Sequence, residues 1–352
     1  MNEGRSFDAL RATTPDSTPK SYRFTPHPDY DDYLKIHKVL VGEATAGKLV
    51  DIYKNLSKES TPRYLSTAGW AAAEAALSQP YRSASYRNDL LKKAGECWQS
   101  ALETQLEWNA SEKRHLVEHS APYHYALDLA HLPLLQAMIS GDITKAVRSS
   151  VATDVLNIAE ANAVQMNLAI RANDQIAVSD HVGVGHECNA LLAFHSFDSP
   201  SLFAIPSSAR ADSGHHHPHQ THDLLIVQQQ WGTIYEMTPV EIKAKTSQND
   251  RKRYKAMLVR GKMHLSIEGR HSPEHTLRAF SAYFSNSQTP VEKRITDHAR
   301  HTILDLYWLY KKGDRLQDFA SNNSKCQYRD ASELQAQHPE IAPNYSSQKE
   351  IA

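Results

Sequence analysis

Apolar residues recur three and four apart through most of residues 31–172, the spacing that lays one face of an α-helix on a core. RYLSTAGWAAAEAALS (63–78), YRNDLLKKAGECWQSALETQLEW (86–108) and YHYALDLAHLPLLQAMIS (123–140) carry this pattern, and DITKAVRSSVATDVLNIAEANAVQMNLAI (142–170) resumes it after a stop at Gly141. Pro62, Pro80 and Pro122 fall where turns are expected, so the segment reads as about five or six packed helices. The period then changes. After a helix over 184–196 come LFAI (202–205), DLLIV (223–227), TPVEIKA (238–244) and MHLSIE (263–268), short runs rich in branched apolar residues and bounded by Pro, Gly, Ser and charge. Further helices are expected at about 248–260, 273–286 and 290–312.

The pattern predicts an α/β (α+β) chain in four parts. Residues 1–30 form a flexible leader, 31–172 an all-helical domain, 173–317 a mixed layer domain and 318–352 a flexible tail. Charge and cysteine content narrow the setting. The 352 residues carry 39 Lys and Arg against 40 Asp and Glu, yet between Glu241 and Arg278 ten basic residues face four acidic ones, a local excess suited to a polyanion. No signal-like or membrane-length apolar run occurs, so a cytoplasmic setting away from the membrane is expected. Cys97, Cys188 and Cys326 lie far apart without a CxxC pair, which argues against a disulfide framework or a cysteine zinc site.

The segment that carries chemistry is HDLLIVQQQWGTIYEMTPVEIKAKT (222–246). Asp223 opens one strand, a connection of about ten residues including Gly232 follows, and Glu241 and Lys243 lie on the next strand. Two residues apart on a strand, Glu241 and Lys243 share a face, while Val240 and Ile242 take the other. If the strands are neighbours, Asp223 and Glu241 come to the same sheet end, and two close carboxylates call for a hard divalent cation. Glu187 lies beside the buried stripe Val184, Cys188, Leu191 and Leu192 on the preceding helix, where a carboxylate wants a partner.

This order of residues resembles the PD-(D/E)xK nuclease superfamily, with its restriction-endonuclease-like fold, over roughly residues 175–270. The resemblance implies a three-layer domain with a small mixed sheet flanked by helices. It implies that Asp223, Glu241 and the backbone carbonyl of Ile242, with Glu187, hold Mg²⁺ or Mn²⁺ against a scissile phosphate. Lys243 would orient the attacking water or stabilise developing charge, and Lys245, Arg251, Lys252, Arg253 and Lys255 would meet phosphates. The namesake proline is replaced by His222. The implied activity is endo- or exonucleolytic hydrolysis of phosphodiesters, in DNA rather than RNA, within restriction, defence or repair. Self-association or a protein partner docked on the helices is expected with it.

Two other classes stay open at this point. His215, His216, His217, His219 and His222 crowd one loop, and His217-x-His219 followed by an acid is similar to the first cupin motif, giving a His-rich metal-binding protein. Against it, the cupin glycine is out of place, no second motif follows and helices flank the strands. The other alternative is a non-enzymatic nucleic-acid-binding or adaptor protein with an inactive nuclease-like domain, in which Glu241 and Lys243 form a cross-strand ion pair. Walker, GxSxG, HExxH and GxGxxG motifs are missing from the chain.

Overall fold

Alanine sets how closely the helices of the N-terminal half approach one another. Helix α3 (Pro62–Leu77) starts with a proline in its first turn, where a missing N–H is harmless, and fully buries Ala68, Ala71, Ala72, Ala73, Ala75 and Ala76. Gly69 of α3 meets the Trp98 indole of α4 (Ala84–Ala110) so closely that a Cβ there would overlap the ring. Trp98 in turn packs on Trp70, with ring centroids 5.3 Å apart. The computed structural model describes residues 7–12, 25–36, 47–111, 116–195, 201–207, 223–244, 263–268 and 303–307.

Helices α1 (Pro28–Ile36) and α2 (Leu49–Leu56) precede this pair, and α5 (Ala121–Ser140), α6 (Lys145–Arg171) and α7 (Gln175–His195) follow it. Their ends are chemically marked. Ser83 Oγ accepts from Tyr86 N at 3.3 Å, Thr144 Oγ1 from Val147 N at 3.2 Å, and Asp174 Oδ1 from Ile176 and Ala177 N at 3.1 and 3.0 Å. Gly141 ends α5 with φ +76°, a conformation glycine adopts without strain. The helices expected over 31–172 therefore form, as does the one expected over 184–196, with α7 beginning nine residues before that start.

In contrast to the flexible leader expected over 1–30, Asp8–Arg11 forms a 3-10 turn docked on the bundle. Phe7 and Leu10 are buried, Tyr123 Oη donates to Leu10 O at 3.2 Å, and Gln165 Nε2 donates to Arg11 and Ala12 O at 3.0 and 2.9 Å. The turn Ala172–Asp174 stands where a domain boundary is expected, but the core does not stop there. One buried cluster runs from the helices through Val184, Leu191 and Phe194 of α7 into Phe203, Ile205, Leu225 and Val227.

Those last residues belong to a five-stranded mixed sheet in the order β1 (Leu202–Pro206), β2 (Leu224–Trp231), β3 (Ile234–Ala244), β4 (Met263–Glu268) and β5 (Ile303–Tyr307). β1–β2, β2–β3 and β4–β5 are antiparallel, and β3–β4 is parallel, so the chain must cross over between Ala244 and Met263. Two expectations are corrected here. The ten-residue connection between β2 and β3 is instead continued pairing closed by Gly232 and Thr233, with Gly232 at φ +54°. The helix expected over 290–312 contains β5, because Ile303, Leu304, Leu306 and Tyr307 suit either period over so short a run. The helices expected at 248–260 and 273–286 lie outside the described residues.

α7 covers β1 and β3. The far end of the β2–β3 hairpin is tied to α5, where Gln229 Nε2 donates to Gly141 O at 3.2 Å and Tyr235 Oη to Met138 O at 2.9 Å. The sheet is thereby fixed on the helical half, and its opposite end carries the acidic residues.

Candidate active site

Register decides which residues meet at that end. The β2–β3 pairing ends at Leu224 opposite Val240, so Asp223, just before β2, and Glu241, the next residue of β3, flank the last pair at one end of the sheet. Asp223 is held there by the backbone, since Ser207 N donates to its carbonyl at 2.9 Å and extends the β1–β2 ladder by one position. The same register continued for one step would set Asp223 and Glu241 opposite each other, where Cβ atoms lie about 4.5–5.5 Å apart on one face of the sheet. Lys243 takes the next position on the same face of β3, two residues on. Asp223, Glu241 and Lys243 are thus brought to one sheet end by backbone pairing alone, and Ile242 lies between the last two on β3.

The next strands add residues that the sequence reading left without a role. Glu241 pairs with His264 of β4, and His264 with Tyr307 of β5; Lys243 pairs with Ser266, and Ser266 with Asp305. The signal for β4 was present in MHLSIE, whose polar residues all fall on one parity. Asp305 was hidden by the helical reading of its segment.

Glu187 sits on α7, 8% exposed, and its Oε2 is 3.5 Å from Nε2 of His124 on α5. The contact draws this carboxylate toward the helical half, and α7 spans both regions. Lys245, Arg251, Lys252, Arg253 and Lys255, and the histidine pair His217 and His219, lie outside the described residues. Among the side chains that are described, no three His, Cys, Asp or Glu stand together in a metal-holding group.

The helical half buries titratable groups of its own. Tyr33 Oη donates to Glu74 Oε1 at 2.9 Å, and burial raises the Glu74 carboxyl well above its ordinary range. Near the start of α7, His119 Nε2 is 4.0 Å from Asp174 Oδ2, and His181 Nδ1 is 2.8 Å from Asn162 Oδ1. Burial, with Glu118 and Asp174 nearby, raises Asp180 to about 6. Cys97 is a buried thiol pushed up to about 11, an inert core residue. Among the described residues no helix is long and apolar enough to cross a membrane. No family model, curated protein or solved structure matches this chain.

Proposed function

We propose that the chain is a metal-dependent nuclease of the restriction-endonuclease-like kind, with Asp223, Glu241 and Lys243 as its catalytic group. The observation that carries the reading is the end of the β2–β3 pairing at Leu224 and Val240, which leaves Asp223 and Glu241 as the next residues at the same end of the sheet. An acid at the mouth of one strand and an acid-x-Lys tripeptide on its neighbour gain meaning only if the register aligns them. The order of elements supports it as well: α7, three antiparallel strands, a crossover, then β4 parallel to β3.

Two carboxylates on opposed strand positions repel, and a hard cation relieves that repulsion, so the donor set fits Mg²⁺ or Mn²⁺. When bound, such an ion supplies Lewis-acid polarisation of a phosphoryl oxygen and lowers the pKa of a bound water. Lys243 is close enough along β3 to orient that water or to stabilise charge developing on the phosphate, a role suited to a compact ammonium. Glu187, whose carboxylate meets His124 on the helical side, stays outside this donor set. The basic run that includes Lys245 and Arg251 to Lys255 provides phosphate contacts, which give affinity without base selection. DNA is the substrate, and the helical half offers a platform for a second copy or a protein partner.

The test is conversion of supercoiled plasmid by the purified full chain with Mg²⁺ or Mn²⁺. Cleavage that stops on chelation, and that falls to background in Asp223→Asn and Glu241→Gln, supports the reading. Undiminished cleavage in either variant refutes it.

A further inference from the structure

The row that begins with Asp223 does not end at Glu241. Glu241 of β3 pairs with His264 of the parallel strand β4, and Asp223 immediately precedes β2 at the same end, so the three residues form a row across neighbouring strands. Neighbouring strands lie about 4.8 Å apart and paired positions share a face, so the row covers about 10 Å of one face. The composition of β4 is consistent with a strand whose two faces differ. His264, Ser266 and Glu268 alternate with Met263, Leu265 and Ile267. β5 repeats the division in part: Asp305 and Tyr307 take the face positions of Ser266 and His264, and Leu304 and Leu306 the other parity, but Ile303 falls on the polar parity opposite Glu268. The polar parity of β4 is the one that Glu241 and Lys243 occupy.

We propose that His264 joins Asp223 and Glu241 in a single divalent-metal site, and that the site therefore prefers Mn²⁺ to Mg²⁺. The proposal rests on the reading of this sheet end as the catalytic centre and adds to it a third protein donor and a metal preference. Carboxylates and water suffice for Mg²⁺, which holds to oxygen and keeps its waters. An imidazole is a softer donor that favours transition ions, so a histidine in the row shifts selectivity toward Mn²⁺. Lys243 stands one alternation further along β3, about 7 Å from the row, and so remains beside the metal position instead of within it.

The experiment is metal binding by the full chain without nucleic acid, Mn²⁺ by electron paramagnetic resonance and Mg²⁺ by calorimetry, with circular dichroism to verify folding. The wild type binds Mn²⁺ at least about tenfold more tightly than Mg²⁺, and His264→Gln removes most of that preference. His264→Asp supplies an oxygen donor at the same position and moves the preference toward Mg²⁺, a reversal that a general folding defect does not produce. Unchanged Mn²⁺ affinity in folded His264→Gln, with loss in Asp223→Asn and Glu241→Gln, overturns the assignment of His264 and leaves the nuclease reading in place. Unchanged affinity in all three variants overturns both.

Discussion

The Nε2 atoms of His131 and His195 lie 2.9 Å apart at the point where α7 ends and the chain turns toward β1. The Leu127 carbonyl, 2.7 Å from His131 Nδ1, can only accept, so that nitrogen carries the proton. His131 Nε2 is then an acceptor, and His195 Nε2–H donates to it. Both rings are neutral. Burial pushes His131 down to about 4, and burial together with His131 and Arg148 holds His195 well below the ordinary imidazole range.

Acid sensitivity follows from these rings. Burial also lowers His119, and it takes His181 down to about 3, with the neighbouring His119 adding to the effect. Below the ordinary value of 6.5 the unfolded chain takes up protons that the folded chain refuses, so stability falls with pH from there toward 4. Asp180 and the buried Glu74 act in the opposite sense, Asp180's contribution being full below 3.8 and lost as pH rises through about 6, but the four imidazoles outnumber these two carboxyls. Each ring held neutral removes about 1.4 kcal/mol of stability per pH unit in that window. Thermal unfolding monitored by circular dichroism should give a lower Tm near pH 5 than near pH 7, and an equal or higher Tm near pH 5 contradicts the assignment.

Arg148 joins α6 to the same corner. Its Nη2 donates to the carbonyls of Phe194 and His195 at 3.1 and 3.3 Å, satisfying acceptors that the end of α7 leaves over. Arg148→Met removes both bonds from a buried site and is expected to lower stability by about 2–3 kcal/mol, read as a shift of the urea midpoint. An unchanged midpoint means that the capping bonds contribute nothing.

Two glycines in helices should respond to alanine with opposite signs. Gly69→Ala drives a methyl into the Trp98 indole, and overpacking of this kind costs about 1–3 kcal/mol. Gly183 of α7 is exposed with nothing within 4 Å of its would-be Cβ, so Gly183→Ala gains helix propensity of about 1 kcal/mol. Denaturant melts of the two variants check the pair, and a stabilised Gly69→Ala removes the close α3–α4 approach from the account.

Much of this architecture was legible in the residues. The helices from α3 to α6 announce themselves by apolar spacing over long runs, and alternation set Glu241 and Lys243 on one face of β3, whereas the end at which Asp223 lies follows from the β2–β3 register, which alternation leaves open. Short or mixed segments were less readable. The first turns of α7, QIAVSDHVG, combine valines with glycine and carry little helical signal, and QQQWGTIYEM does not alternate cleanly although it forms most of a hairpin. His264 could not be associated with Glu241 from spacing, because a parallel pairing is set by the crossover and not by a turn.

The central claim, that the end of the sheet at Asp223 and Glu241 performs hydrolysis with Lys243 as its charged partner, is tested most directly by Lys243→Ala. The substitution leaves both carboxylates in place, so Mn²⁺ binding should remain within about twofold while plasmid cleavage falls by about 10²–10³. Cleavage at the wild-type rate in a variant that still binds Mn²⁺ contradicts the claim.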